Sequence, residues 1–165
     1  MPTGTILQVS TSRGGLPKRA IPSGDLGPLG LAGDHHDHSD VHGGPRQAVL
    51  LISSESIANL TAQGFPLYPG ALGENITTLG LDRAQWRPGQ RWRIGLAVIE
   101  FTKVRGPCQL LNVYGPGIQK AMYDEKVHAG DPSSPLWAIS GFYASVVQPG
   151  VVRPGDPISL LDQAA

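Results

Sequence analysis

Glycine and proline recur along the whole chain and limit the length of any regular element. The sequence has 22 glycines and 15 prolines in 165 residues, and they are spread through it. Because both residues interrupt helices and strands, this distribution favours many short strands joined by tight turns. The length corresponds to about one domain, which can form a hydrophobic core without disulfides or a structural metal.

Apolar segments between these turns predict the strands. The predicted strands are Thr5–Val9, Ala48–Ile52, Gln90–Ile94, Ala97–Val104, Trp137–Val147 and Pro157–Leu161. Gln90–Ile94 alternates polar and apolar residues, as a half-buried strand does. Gly95-Leu96 has the form of a two-residue hairpin turn, so we expect the flanking strands to pair.

Two short helices and one long irregular segment complete the predicted fold. Ser53 is predicted to cap a helix that carries Glu55 in its first turn and ends at Gly64. Pro116 is predicted to open a second short helix. Residues 10–45 show little periodicity, and an irregular segment of this length is usually functional. The predicted fold class is mainly β, a closed or nearly closed β-barrel with a few short helices.

Positive and negative charges balance, with 13 Lys and Arg against 13 Asp and Glu. We therefore expect no nucleic-acid partner and no anionic membrane partner, and any anionic ligand must be bound by a local basic cluster. The N-terminal MPTGTILQVS lacks the basic and apolar regions of a signal peptide. No apolar run reaches the length of a membrane-spanning helix. These features predict a soluble, cytoplasmic protein.

The single cysteine, Cys108, lies in the segment KVRGPCQLLN. Free cysteine is often a small buried hydrophobic residue, which is one interpretation. The other is a presented thiol: Lys103 and Arg105 alternate at a strand end and can stabilise a thiolate, and Gly106-Pro107 places Cys108 on a loop. The apolar residues predicted to pack inward and fix this loop are Leu110, Leu111 and Val113. A thiol presented in this way can act as a nucleophile or a soft-metal ligand.

Four of the five histidines lie between Gly33 and Gly44. They are His35, His36, His38 and His42. Imidazole and carboxylate suit zinc or iron, but only a helix would bring three of these histidines to one face, and the flanking glycines favour a loop. A metal site and a solvated loop with one functional histidine are both open interpretations.

Further polar residues are predicted to bind a ligand. Gly43-Gly44 allows a ligand to approach the backbone closely. Lys18, Arg46 and Arg105 together can form a pocket for a phosphate or similar anion. Glu74-Asn75 either belongs to a turn or presents a carboxylate and an amide, to a ligand or to the backbone of a loop.

A series of short motifs occurs in order over about residues 5–161. They are Pro17-Lys18, Gly30-Leu31-Ala32-Gly33-Asp34, His42-Gly43-Gly44, Arg46-x-Ala48-Val49, Pro69-Gly70, Gly73-Glu74-Asn75, Pro107-Cys108, Gly141-x-Tyr143-Ala144 and Gly155-Asp156. Each is unspecific alone, but their order, with the single cysteine in place, resembles the MOSC domain, the C-terminal domain of molybdenum cofactor sulfurases, and above all its small stand-alone bacterial members. The resemblance implies one MOSC domain over residues 1–165 and a β-barrel fold.

The resemblance also implies a molybdenum cofactor of the molybdopterin type. Cys108 matches the family's cysteine, which ligates molybdenum in relatives such as the mitochondrial amidoxime-reducing component. Lys18, Arg46 and Arg105 would meet the cofactor's phosphate and pterin edges. The residues predicted to bind the cofactor are Lys18, Gly43, Gly44, Arg46, Glu74, Asn75 and Arg105.

The implied activity is the reduction of N-hydroxylated small molecules, such as hydroxylamino bases. The chain has no cysteine set for an iron–sulfur centre, so an external electron-donor reductase would supply the electrons. His42 is the residue predicted to donate a proton as oxygen leaves as water. The alternative is a non-catalytic carrier of the cofactor, or of sulfur as a persulfide on Cys108. A third hypothesis is a metal hydrolase built on the His35–His42 loop.

Overall fold

Eleven strands and three short α-helices form the part of the chain that the structure, a computed structural model, describes: residues 2–35 and 43–162. The strands are β1 (Thr3–Thr11), β2 (Arg19–Ile21), β3 (Gly24–Gly27), β4 (Gly30–Leu31), β5 (Val49–Ser53), β6 (Ile76–Leu79), β7 (Arg91–Ile94), β8 (Ala97–Val104), β9 (Phe142–Gln148), β10 (Gly150–Val152) and β11 (Pro157–Asp162). The helices are α1 (Ser54–Ala62), α2 (Ile118–Met122) and α3 (Glu125–His128). Within these described ranges, no helix is both long and apolar enough to cross a membrane.

Seven of the strands close into a barrel. Their order is β11-β7-β8-β9-β5-β6-β1, and β11 pairs back onto β1. The pair β5–β6 is parallel, and the remaining barrel pairs are antiparallel. Strand β2 extends the sheet beyond β1, while β10, β3 and β4 form a separate three-stranded sheet. The predicted mainly β barrel is confirmed.

Aromatic side chains fill the barrel interior. Phe101 stacks on Phe142 with ring centroids 4.9 Å apart. Trp86 and Trp92 pack against Phe101 with centroid distances of 5.2 Å and 5.6 Å. All four rings are nearly inaccessible to solvent, and aromatic burial of this kind contributes strongly to core stability. The barrel is thus a packed core that supports the loops at its rim.

A second apolar cluster lies between the helices and the outside of the barrel. Ile57 of α1 and both Ile118 and Met122 of α2 are buried in it. Leu111, three residues after the cysteine, is fully buried in the same cluster. The loop that carries Cys108 is therefore anchored to this cluster.

Helix α1 begins and ends as predicted. The Ser53 side chain accepts a hydrogen bond from the Ser56 backbone N–H at 3.0 Å, which caps the first turn. Gly64 follows the helix with φ 102°, a conformation that glycine adopts at low cost. The predicted hairpin is also present, since β7 and β8 pair on either side of Gly95-Leu96.

Two predictions of local structure are wrong. Residues 10–45 contain β2, β3 and β4, which were not predicted because strands of two to four residues are too short to show periodicity. The predicted strand Trp137–Val147 begins only at Phe142. Ala138 has φ 61°, which is incompatible with a strand, so the preceding residues form a turn. Strand β10 and helix α3 were also not predicted.

Candidate functional site

Cys108 lies on the loop that follows β8, as predicted. The residue is half-buried and has an extended backbone. It begins a short 3-10 helix, Gln109–Tyr114, and its carbonyl accepts a hydrogen bond from the Leu111 N–H at 3.2 Å. Leu111 is buried, but Leu110 is 53% exposed and Val113 is 76% exposed, so the prediction that all three pack inward is wrong for these two. Of these three side chains, Leu111 is the one whose burial anchors the loop.

Two cavities share the wall that contains Cys108. The Arg105 cavity has a volume of about 90 Å³, and the His128 cavity has a volume of about 550 Å³. Gln47, Cys108 and Tyr143 line both. The Arg105 cavity is also lined by, among others, Leu16, Lys18, His35, Gly43, Gly73 and Asn75. The His128 cavity is also lined by, among others, Lys103, Tyr123, Val127 and Trp137. A molecule in either cavity would therefore border the thiol.

Arg105 is a buried cation with one unused hydrogen-bond donor. Its Nη2 donates to the Leu72 carbonyl at 2.8 Å, and its backbone carbonyl accepts from the Ser140 hydroxyl at 2.6 Å. Its Nη1 is buried and has no hydrogen-bond partner among the described residues. A buried donor without an acceptor costs about 1–3 kcal/mol, and more when the group is charged. Such a donor matches an anionic or carbonyl oxygen of a ligand.

Lys18 is paired within the protein. Its Nζ lies 2.5 Å from Asp34 Oδ2, and both side chains are at least nine-tenths buried. Asn75 Nδ2 donates to the same carboxylate oxygen at 2.8 Å, and the Ser12 N–H donates to the other at 2.9 Å. Asn75 Oδ1 accepts from the Leu50 N–H at 3.1 Å. Lys18 and Asn75 therefore line the Arg105 cavity as members of an internal network.

Arg46 lies outside both cavities. It is exposed on the 3-10 turn Pro45–Gln47 and lines neither cavity. Its backbone carbonyl accepts a hydrogen bond from the Thr102 hydroxyl at 2.7 Å. Gly43 lines the Arg105 cavity with φ 85°, and Gly44 precedes the turn with φ 89°. Of the three predicted basic residues, Lys18 and Arg105 thus line one cavity, while the Arg46 side chain faces solvent.

Glu74 is fully buried, and its carboxylate binds the backbone of a loop and not an open cavity, which is one of the roles predicted for it. Its Oε2 accepts from the Gly70 N–H at 3.0 Å and from the Thr77 hydroxyl at 2.9 Å. Burial raises the pKa of Glu74, and the hydrogen bonds from the Gly70 N–H and the Thr77 hydroxyl, together with the weaker effect of the Arg105 charge, oppose this only in part. The Gly70 carbonyl in turn accepts the Lys18 N–H at 2.9 Å. Glu74 therefore holds the turn that positions Lys18.

The predicted proton donor, His42, lies outside the described residues, as do His36 and His38. His35 is described: it lines the Arg105 cavity, and its backbone N–H donates to the Ser12 carbonyl at 2.9 Å. Within residues 2–35 and 43–162, no three His, Cys, Asp or Glu side chains are grouped to hold a metal ion. The roles predicted for the histidine loop stay predictions.

Tyr143 belongs to one of the ordered sequence motifs, but it was not predicted to lie at the site. It lies on β9, opposite Lys103 of β8, and reaches the thiol only through that strand register. Burial raises the pKa of Tyr143, the Arg105 charge lowers it and the Cys108 charge raises it further, so the phenol stays protonated at neutral pH. No local sequence pattern shows this contact.

His128 and Tyr123 were also missed. Asp124 accepts a hydrogen bond from the Val127 N–H at 2.9 Å and caps helix α3, which carries His128. The sequence signal for this helix is its capping pattern. Asp124 is followed directly by Glu125, and the apolar Val127 lies three residues after Asp124.

Comparisons with known proteins agree with this architecture. The family model described as MOSC domain matches residues 38–159. Protein YiiM of Escherichia coli (strain K12) is 29% identical over 142 residues, which are 83% of this chain and 58% of that protein. The uncharacterized protein YflK of Bacillus subtilis (strain 168) is 31% identical over 124 residues, 74% of this chain and 51% of that protein. The aligned region thus spans only little more than half the length of these relatives.

A solved structure supports the same fold. The crystal structure of YiiM from Geobacillus stearothermophilus matches with a TM-score of 0.73 and 25% sequence identity, over 98% of this chain and 76% of that chain.

Proposed function

This chain belongs to the MOSC domain family, and on that premise we propose that it binds a molybdenum cofactor of the molybdopterin type and reduces N-hydroxylated small molecules. The observation that carries the proposal is the position of Cys108. The only cysteine of the sequence is half-buried in the wall of a cavity that Arg105 also lines, with an Nη1 that has no acceptor among residues 2–35 and 43–162. A soft thiolate beside a buried cation suits a metal that is already bound by sulfur ligands.

The residues around the Arg105 cavity fit such a cofactor in three respects. Cys108 provides a soft ligand. Arg105 Nη1 is buried and has no acceptor in the described part of the chain, which suits a phosphate or pterin oxygen. Gly43 and Gly73 line the cavity with positive φ values of 85° and 88°. Small residues here keep the backbone open to a ligand.

The reaction cleaves one N–O bond. A hydroxylamino compound takes up two electrons and two protons, and it yields the corresponding amine and water. When bound, the molybdenum cofactor supplies the two-electron chemistry, and an external electron-donor reductase supplies the electrons. The chain holds the thiol on a loop anchored by buried Leu111, and it orients an anionic group at Arg105. His42 remains the proton donor predicted from sequence.

Metal analysis of protein from a host that makes the cofactor tests the proposal. We expect molybdenum stoichiometric with the chain, and loss of that molybdenum in Cys108→Ser because a hydroxyl is a harder and weaker ligand. Gln109→Ala changes the exposed neighbouring residue and should retain the metal. Molybdenum that is retained in Cys108→Ser contradicts the ligand role. Zinc or iron that survives Cys108→Ser and disappears in His38→Ala would favour the metal hydrolase.

The carrier function is the second candidate. The half-exposed thiol in the wall of the wide His128 cavity favours it, since a carried group must be handed to another protein. Assay of the loaded protein with hydroxylamino substrates and an external electron donor separates the two candidates. Turnover that is lost in Cys108→Ser supports the reductase. A molybdenum-loaded protein without turnover on any such substrate supports a carrier of the cofactor or of a persulfide.

A further inference from the structure

A further cavity lies away from the loop that carries Cys108. It has a volume of about 170 Å³, and two tryptophan rings line it, so we call it the indole cavity. The residues that concern us in its lining are Pro2, Leu81, Asp82, Trp86, Trp92 and Leu160. Among the described residues, those that line it are different from those that line the Arg105 and His128 cavities.

Strand β1 separates the indole cavity from the Arg105 cavity. Pro2, directly before β1, lines the indole cavity, and Ser12, directly after β1, lines the Arg105 cavity. A strand of nine residues extends roughly 30 Å. The two cavities therefore lie at opposite ends of this strand, and a ligand in the indole cavity is remote from the thiol.

Two indole N–H groups beside this cavity have no acceptor. Trp86 is 1% exposed and Trp92 is 3% exposed, and the Nε1 of each is buried without a hydrogen-bond partner among residues 2–35 and 43–162. Trp137 shows the usual arrangement, since its indole N–H donates to the Trp86 carbonyl at 2.8 Å. A buried donor without an acceptor costs free energy, so two of them beside one cavity point to an acceptor supplied by a ligand.

The barrel core fixes both rings. Trp86 and Trp92 pack against Phe101 with centroid distances of 5.2 Å and 5.6 Å. Trp92 of β7 lies opposite Leu160 of β11, and the Leu160 N–H donates to the Pro2 carbonyl at 3.2 Å. The indoles therefore cannot turn toward another acceptor without disrupting this packing.

The other buried groups in the lining do not serve the two indole donors. Leu81 and Leu160 are 5% and 4% exposed and present apolar surface. Gln90 is also buried, but its amide oxygen accepts the Arg87 N–H at 2.9 Å and its amide nitrogen donates to the Gln85 carbonyl at 3.0 Å. A ligand therefore meets two hydrogen-bond donors set in a largely apolar wall.

This lining selects an uncharged ligand that carries an acceptor oxygen on an apolar body. Asp82, which is exposed, also borders the cavity, and its carboxylate opposes an anion. A water molecule would have two hydrogens of its own to donate, which the leucine side chains cannot accept. A carbonyl oxygen accepts two hydrogen bonds and donates none. Because an apolar cavity of about 150 Å³ holds benzene, this one suits a molecule of about six non-hydrogen atoms.

We propose that the indole cavity binds a small uncharged molecule through a carbonyl-type oxygen that accepts from both Trp86 Nε1 and Trp92 Nε1. The apolar part of the molecule packs against Leu81 and Leu160. This binding site is separate from Cys108 and does not rest on the function proposed above.

Proton–nitrogen NMR of the indole groups tests the proposal directly. The chain has three tryptophans and so gives three indole N–H signals, which single Trp→Phe variants assign. We expect cyclopentanone to move the Trp86 and Trp92 signals downfield saturably and to leave the Trp137 signal nearly unchanged, because that N–H already has an acceptor. Methylenecyclopentane has the same shape without the oxygen, and it should bind at least about tenfold more weakly, as expected for two lost hydrogen bonds.

A pair of variants locates the site within the chain. Trp92→Phe removes one donor and keeps an aromatic ring, so it should raise the Kd for cyclopentanone about fivefold, measured on the Trp86 signal. Arg91→Ala changes the half-exposed neighbour, which does not line the cavity, and should bind as the wild type does. Where Trp92→Phe does not fold, the comparison of ketone and hydrocarbon on the wild type decides alone.

Any of three results contradicts the proposal. One is that cyclopentanone leaves the Trp86 and Trp92 signals in place, also when those indole protons show contacts with bound water. Another is equal affinity for cyclopentanone and methylenecyclopentane, which would make the cavity merely apolar. The third is a response of the two signals to acetate and not to cyclopentanone, which would make the ligand an anion.

Discussion

At the scale of single residues, the ion pair between Lys18 and Asp34 determines which donors the Arg105 cavity offers to a ligand. The two side chains are 9% and 3% exposed, and Asn75 completes the hydrogen bonding of the carboxylate. Because this pair is neutral as a whole, an anion gains little there. Arg105 Nη1, buried and without an acceptor among the described residues, is the donor a ligand can use without breaking an existing bond.

Loss of one member of this pair is expected to destabilise the protein more than loss of both. Asp34→Ala leaves the Lys18 ammonium buried without its partner, at a cost of about 3–5 kcal/mol. The double variant Lys18→Met/Asp34→Ala removes both charges and should recover part of that loss, because the Ser12 N–H and Asn75 Nδ2 lose their acceptor in both variants. Urea unfolding measures the difference.

The exposed pair Arg91–Glu100 provides the matched control. Its side chains are 48% and 29% exposed, so Arg91→Ala should cost no more than about 1 kcal/mol. Equal destabilisation by Asp34→Ala and the double variant would show that the pair is not the source of the effect.

Single residues could be predicted from sequence where their chemistry is local. Cys108 and Arg105 are adjacent to a strand end and a Gly-Pro turn, so their shared loop follows from the sequence around them. The environment of Lys18 could not be predicted, because its partner Asp34 lies 16 residues away along the chain. Tyr143 reaches the thiol only because β8 and β9 pair in one register.

At the scale of elements, the start of helix α1 is determined by residues that are close together in the sequence. Ser53 has an extended backbone, and its side chain bonds the Ser56 N–H, so the helix start is encoded within four residues. Strands β2 to β4 are two to four residues long, so no local periodicity marks them. β2 pairs with β1 and β4 pairs with β3, and only β3 also pairs with a strand far along the chain, β10. Helix α3 is only four residues long, and it is positioned by Asp124 and Ser134 rather than by its own periodicity.

We expect loss of the α1 cap to lower the free energy of unfolding by a measurable amount. Ser53→Ala removes the acceptor for the Ser56 N–H and should lower the free energy of unfolding by about 1 kcal/mol. Ser54→Ala, one residue later, removes only an exposed contact with Glu55 and should change it by less than about 0.5 kcal/mol. Thermal unfolding of the two variants makes the comparison, and a Ser54→Ala loss as large as that of Ser53→Ala would contradict the capping role.

At the scale of the whole molecule, β11 closes the barrel because it pairs on both sides. Ser159 lies opposite Thr3 of β1 and opposite Arg93 of β7. A barrel closed in this way leaves neither strand as an open edge at this position. The closed barrel was predicted from the number of short strands and from the resemblance, but the pairing of the first strand with the last follows only from the assembled sheet.

Proline in this closing strand is expected to disrupt the whole barrel. Ser159→Pro removes a backbone donor from a strand with neighbours on both sides, at a cost of about 1–3 kcal/mol for the lost hydrogen bond alone. Ser159→Thr, which suits a strand, should unfold as the wild type does. Circular dichroism during urea unfolding measures both variants. A Ser159→Pro protein as stable as Ser159→Thr would show that the pairing of β11 with its neighbours contributes little to stability.

Because β1 pairs with β11, the barrel can close only after the last strand has been synthesised. The ribosome releases β1 and β7 before β11. Until β11 is made, the edges of β1 and β7 that pair with it are exposed. Open strand edges recruit other chains, and pairing across a long sequence separation is slow. We therefore expect the yield of folded protein in a cell to depend on how well nascent chains are kept apart during that interval, more than on how fast the local hairpins form.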